Sequence, residues 1–142
     1  MTDDPFDLRR FVVAQDASGS YRNAVAELRR GRKVSHWMWF VFPQIAGLGA
    51  SATSQRYAIS GLDEARAFLA HAVLGPRLLE VTGIVAQSAA DTAEDIFGPV
   101  DAQKLRSSVT LFLRAAPGEP GFQAVLDQFF GGTADPRTDQ LI

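Results

Sequence analysis

The chain has 142 residues, 46% of them hydrophobic and 21% charged, enough apolar surface for one core and too little charge for a disordered polymer. Fourteen basic against sixteen acidic side chains leave a net charge of −2, which removes the clustered positive charge that general nucleic-acid binding needs. With no cysteine, disulfides, iron–sulfur clusters, cysteine-ligated zinc and a thiol nucleophile are excluded together.

His36 and His71 stand in no H-x-x-x-H arrangement, so no histidine metal site and no cofactor are expected, and only a carboxylate magnesium site stays open. The N-terminus reads Met1-Thr2-Asp3-Asp4-Pro5, and its first apolar run, Phe11 to Ala14, is too short for a signal peptide. No apolar stretch approaches the roughly 18 residues of a membrane span. The expectation is a soluble, cytoplasmic protein with no membrane partner.

Helical patterning dominates the chain from its start. Pro5 opens a first helix through Gln15, and Ala17-Ser18-Gly19-Ser20 interrupts it. Ser20 is placed as the cap of the next helix, whose Tyr21, Ala24, Val25 and Leu28 share one face and whose Arg29, Arg30 and Gly31 end it. Ser60 and Asp63 resemble a capping box ahead of Leu62, Ala65 and Leu69, with His71 near the end of that helix. Pro76 suits the first turn of a segment carrying Leu78, Val81 and Val85. Asp91 and Glu94 form another capping pair before a short element ending at Phe97-Gly98. Pro99 or Asp101 then opens a longer helix with Leu105, Val109, Phe112 and Leu113 inward, broken at Pro117 to Gly121. A last helix over 120–130 buries Phe122, Val125, Leu126 and Phe129, and Gly131-Gly132 stops it, leaving a polar tail over 133–142. The sum is an all-α, single-domain chain, 1–142, of six or seven short to medium helices.

Residues 31–57 break the pattern. Both tryptophans, Phe40 and Phe42 fall within Trp37 to Phe42, a run hydrophobic all round that reads either as a buried strand or as a helical block opened by Ser35 and ended by Pro43, with helix preferred. Such rings either form core or wall a cavity. Arg32, Lys33, Ser35, His36, Gln44, Ser51, Ser54 and Gln55 bracket the block, together with a Gly47-Leu48-Gly49 turn whose N–H groups could face an anion or simply turn at the surface. Arg22, Arg29, Arg30, Arg32 and Lys33 are either solvated charge or a steering field for an anionic ligand. A second segment, 95–112, places Asp101 and Lys104 one turn apart and sets Ser107, Ser108 and Thr110 inside a helix, where hydroxyls serve close helix packing or a ligand.

At these segments the sequence resembles DUF1810, a small, mainly helical family of unassigned activity, some of whose members carry the label calpastatin. The likeness runs over nearly the whole chain. It is carried by Ser35-His36-Trp37-Met38-Trp39-Phe40-Val41-Phe42-Pro43-Gln44, by Gly47-Leu48-Gly49-x-Ser51 with Ser54 and Tyr57, by His71-x-x-Leu74-Gly75-x-Arg77-Leu78, and by Phe97-Gly98-x-x-Asp101-x-x-Lys104-Leu105-x-Ser107-Ser108-x-Thr110-Leu111-Phe112. Ala72 and Val109 stand where the family pattern often has proline and methionine, departures of local helix entry and packing. The resemblance implies an α-helical single domain. An aromatic block followed by a carboxylate–Phe-Gly segment is also similar to the NADAR group, domains linked to ADP-ribose and phosphoribosyl chemistry, and no residue is carried over from that likeness.

Two functions follow as expectations. In the first, a pocket between the aromatic block and the 101–112 helix binds a small anionic or nucleotide-like ligand: Trp37 or Trp39 stacks, Lys33, Arg77 or Lys104 meets the anion, and Gln44, Ser51, Ser54 and Ser107 hydrogen-bond. His36 or Asp101 would supply acid/base function, with cleavage of an N-glycosidic bond in an ADP-ribose-type compound as the reaction. In the second, the chain is a non-catalytic interaction module that holds a protein partner, and its aromatic block is purely structural.

Overall fold

Glycines, prolines and short polar caps set the helix ends in the computed structural model, which describes residues 3–142; Met1 and Thr2 of the acidic start lie outside it. The described residues form nine α-helices: α1 (Arg9–Asp16), α2 (Ser20–Arg30), α3 (Met38–Val41), α4 (Ala52–Arg56), α5 (Leu62–Ala70), α6 (Leu74–Ala86), α7 (Ala93–Ala115), α8 (Pro120–Phe129) and α9 (Pro136–Leu141). The all-α single domain expected from the patterning is what forms. Among the described residues the one extended pairing is a parallel bridge of Ile45 with Ile59, where Ala46 N–H donates to the Ile59 carbonyl and Ile59 N–H to the Gln44 carbonyl, each at 2.8 Å. That bridge pins together the two ends of the loop carrying Gly47, Gly49 and α4.

The 23-residue α7 is the axis of the core. It packs on α5, α8 and α9, while α6 packs on α2, α5 and α8. Leu105, Leu111 and Phe112 are sealed on it, with Phe112 meeting Phe68 of α5 and Phe122 of α8 at ring distances of 5.3 and 5.9 Å. The two elements read on either side of Gly98 join as one bent helix: Gly98 adopts φ 77°, ψ 166°, and Pro99 brings no N–H to the bend.

Several caps lie one residue from their expected place. Gly19, at φ 67°, precedes α2, and the Ser20 hydroxyl donates back to the Ala17 carbonyl. At α5 the N-terminal box is closed by Glu64, whose Oε1 accepts from Ser60 N–H at 2.9 Å, and at α7 Thr92 accepts from Asp95 N–H at 3.1 Å. Helix α1 begins four residues after Pro5, because the Asp4 carboxylate captures the N–H groups of Leu8 and Arg9 at 2.8 and 3.0 Å. At the α5–α6 corner, a Cβ on Gly75 would lie 2.1 Å from the Leu69 carbonyl oxygen, so only glycine fits.

The polar tail expected over 133–142 is a docked helix instead. Asp135 caps α9 by accepting from Thr138 N–H at 3.2 Å, both residues are buried, and Arg114 of α7 grips Asp139 at 2.8 Å. Much of its hold is polar, which an apolar stripe in the sequence does not announce. No single helix among the described residues is long and apolar enough to cross a membrane.

Candidate functional site

The aromatic block is helical for only one turn, α3, and its two tryptophans have different fates. Trp37 is core: 1% exposed, with its ring 6.3 Å from both Phe42 and Phe97. Its indole N–H donates to Glu27 Oε1 at 3.0 Å. Glu27, on the buried face of α2, also accepts from the N–H groups of Val34 and Ser35 at 2.7 and 2.8 Å and from the Ser35 hydroxyl at 2.5 Å. Burial pushes the Glu27 carboxyl up, but these bonds from Ser35, Val34 and Trp37 outweigh it and hold the group at about 2.

From Trp37 a chain of charges leads outward. The Lys33 ammonium lies 5.0 Å from the Trp37 ring centroid, donates to the Ser35 carbonyl at 2.6 Å and pairs with Asp101 Oδ2 at 2.9 Å. Lys104 takes the other Asp101 oxygen at 3.1 Å and sets its ammonium 4.0 Å from the centroid of the Trp39 ring. Burial raises the Asp101 carboxyl, and hydrogen bonds from Lys33 and Lys104 lower it further than burial lifts it, so it stays below the usual aspartate range.

Beyond Lys104 lies a recess of about 520 Å³. One wall is the face of α7 formed by Val100, Gln103, Lys104 and Ser107, spaced as a single helical stripe. Trp39, the 44–49 segment, Ser54, Gln55, Tyr57 and Ala58 make the opposite side, and Asp135, the cap of α9, and Arg137 within it complete the lining. The glycine turn is tight against its neighbours: a Cβ on Gly47, where φ is +102°, would sit 3.2 Å from Leu141 of α9, and one on Gly49 would sit 2.8 Å from Ser54 Oγ.

Of the residues singled out from the sequence, Trp39, Gln44, Ser54, Lys104 and Ser107 line this recess. Lys33 and Asp101 stand behind Lys104 as its support. Trp37 is sealed away from it, so of the two indole rings only that of Trp39 lines the recess. Ser51 caps α4, accepting from Ser54 N–H at 3.1 Å while its carbonyl accepts from the Ser54 hydroxyl at 2.8 Å. His36 is exposed and outside the lining. Arg77 belongs to another cluster, 2.9 Å from Asp16, 3.2 Å from Gln15 Oε1 and 4.8 Å from the Tyr21 ring centroid. Sequence reasoning missed Gln103, Asp135 and Arg137. Asp135-Pro136-x-Thr138 is a helix-start signature that could have revealed the first of the α9 pair. No group of three or more His, Asp or Glu side chains that could hold a metal is present among the described residues.

Fold and recess together define an all-helical single-domain protein with an aromatic and amide-lined cavity built against its longest helix. The family described as "Protein of unknown function (DUF1810)" matches residues 5–142, and the chain belongs to that family. The crystal structure of the conserved hypothetical protein Rv1873 from Mycobacterium tuberculosis is similar to it, at 55% sequence identity and a TM-score of 0.94 over 98% of each chain. No curated protein matches the sequence.

Proposed function

We propose that the recess binds a small anionic, nucleotide-like molecule. The observation that carries this reading is the Lys104 ammonium held 4.0 Å from the Trp39 ring at the wall of a cavity of about 520 Å³, a size suited to a metabolite. Two ammonium groups, Lys33 and Lys104, share the one Asp101 carboxylate, which leaves a net positive charge at that end of the recess. Arg137 adds a second positive group to the lining, and Gln44, Gln103, Ser54 and Ser107 offer hydrogen bonds. An aromatic face, a cation and a few amides are what a planar base bearing a phosphate requires. A phosphorylated metabolite as ligand agrees with the cytoplasmic location expected from the sequence.

The reading is one of binding. His36 lies outside the lining, and Asp101, bonded to two lysines and held ionised, does not supply a proton near neutral pH. Cleavage of an N-glycosidic bond in such a ligand would have to rest on Asp135, the carboxylate that lines the recess.

A thermal-shift and calorimetry panel of AMP, ADP-ribose and ribose 5-phosphate tests the proposal. A ligand at about a hundred times its dissociation constant adds roughly 2.7 kcal/mol of stability. The shift is expected to vanish in Lys104→Met and Trp39→Leu and to persist in Arg77→Ala, which lies away from the cavity. A flat response across the panel overturns it.

A further inference from the structure

Asp135 is the one carboxylate in the lining of the recess. It is 3% exposed, and its two carboxylate oxygens are treated very differently. Oδ2 accepts from the Ser107 hydroxyl at 3.0 Å, the Thr138 hydroxyl at 2.6 Å and Thr138 N–H at 3.2 Å, while Asp135 N–H donates to the Thr110 hydroxyl at 2.9 Å. Side chain and backbone are thereby locked between α7 and α9. Oδ1 has one protein partner among the described residues, Gln103 Nε2 at 3.4 Å, longer than a good N–H···O bond. Burial lifts this carboxyl, and the bonds from Thr138 and Ser107 lower it more, so it is ionised and accepts only. The Asp135 carboxylate is buried and charged, its residue lines the recess, and the spare lone pairs of Oδ1 call for a donor.

We infer that Asp135 Oδ1 reads hydroxyl groups of the bound molecule, so that the recess takes an anionic ligand whose opposite end is an uncharged diol, such as the ribose of a nucleotide. The inference rests on the anion reading above and adds the ligand's second end. Ser107, which anchors Asp135, leaves α7 one turn after Lys104 on the same stripe, roughly 5 Å along the axis, so one small molecule reaches both groups. An ammonium donor is disfavoured there because Lys104 and Arg137 already make the lining positive. A second phosphate at that end is repelled by the carboxylate itself.

The test is isothermal titration of the full chain with AMP, 2′,3′-dideoxy-AMP and inorganic phosphate, on the wild type, Asp135→Asn and Lys104→Met. Wild-type protein is expected to bind AMP roughly tenfold or more tighter than the dideoxy compound, the usual effect of a hydrogen bond to a charged group. Asp135→Asn keeps a carbonyl for Ser107 and Thr138 but turns the Oδ1 position into a neutral donor facing Gln103 Nε2, and the preference for AMP over the dideoxy compound is expected to fall severalfold. Because the comparison of the two nucleotides uses unaltered protein, it stands even where Asp135→Asn unfolds. Equal binding of both nucleotides by wild type, lost in Lys104→Met, leaves the anion site in place and overturns the role of Asp135. A preference undiminished in Asp135→Asn overturns it as well. Absence of any binding by AMP or phosphate removes the anion reading and this inference with it.

Discussion

Glu27 is the residue through which the interior should respond to acid. Its carboxylate accepts four hydrogen bonds, from Val34, Ser35 twice, and the Trp37 indole, and its pKa falls from an ordinary 4.5 to about 2. The folded value is depressed, so the stabilisation is present above 4.5 and is lost as the pH falls through the window down to about 2. Over the whole window the loss is about 3 kcal/mol, and roughly 2 kcal/mol of it is already gone at pH 3. Urea unfolding of wild type and Glu27→Gln, each at pH 7 and pH 3, isolates this share from that of the other carboxylates. Glu27→Gln presents an amide to a cluster of donors, so its stability at pH 7 is expected to drop by roughly 2 kcal/mol or more. Its further loss between pH 7 and pH 3 should be smaller than the wild type's by about the same amount. Equal losses in the two proteins would refute the claim that this carboxylate is held ionised by Ser35, Val34 and Trp37.

Other substitutions probe the frame and the site. Gly75→Ala drives a methyl group to 2.1 Å from the Leu69 carbonyl oxygen and is expected to cost roughly 3 kcal/mol in thermal or urea unfolding. Gly83→Ala, inside α6 with nothing within 4 Å of the added carbon, is expected to stabilise by roughly 0.5–1 kcal/mol. Arg10 donates to the carbonyls of Phe6, Asp7, Arg56 and Ala58 and pairs with the buried Glu64 at 2.9 Å, so Arg10→Met leaves that carboxylate unmatched and should cost about 3–5 kcal/mol by chemical denaturation. Asp101→Asn removes the charge shared by Lys33 and Lys104. It should tighten AMP several-fold by calorimetry while lowering the melting temperature, and weaker binding would contradict the electrostatic reading of the recess.

The helical frame was legible because its elements announce themselves in short windows. The stripe of Phe122, Val125 and Leu126 and the Arg29-Arg30-Gly31 stop act within a few residues, and both stand where the pattern puts them. The docked C-terminal helix escaped notice because its anchors are long-range and polar: Asp135 meets Ser107 and Thr110, and Asp139 meets Arg114, across at least 25 positions of chain. The hydroxyls of Ser107 and Thr110, which the sequence assigns to close helix packing or to a ligand, are one half of that interface. The tryptophans show the same limit. Composition places both in a cluster that must be buried or wall a cavity, but which ring is sealed depends on Glu27, ten residues upstream of Trp37, and on Phe97, sixty downstream. A glutamate on the apolar face of α2, between Ala24 and Leu28, was the available signal that this helix had a polar debt to settle in the interior.

The two parts are connected through charge rather than through packing alone. Trp37 is fixed by Glu27, the same carboxylate fixes the Ser35 backbone, and Ser35 in turn accepts from Lys33, which holds Asp101 from the core side. Lys104 therefore meets a carboxylate whose position is set by buried groups, and its ammonium is left over the Trp39 ring at the cavity wall with little freedom to collapse elsewhere. On the far side Asp135 is set by Ser107, from the same stripe of α7 as Lys104. A recess so supported is preorganised: folding itself orders the charged side chains at its wall, with Lys104 and the Ser107 anchor of Asp135 one helical turn apart on α7. That arrangement has no evident use in a core that only needs to be filled, because apolar side chains in the same places would fold the helices without the cost of desolvating charge.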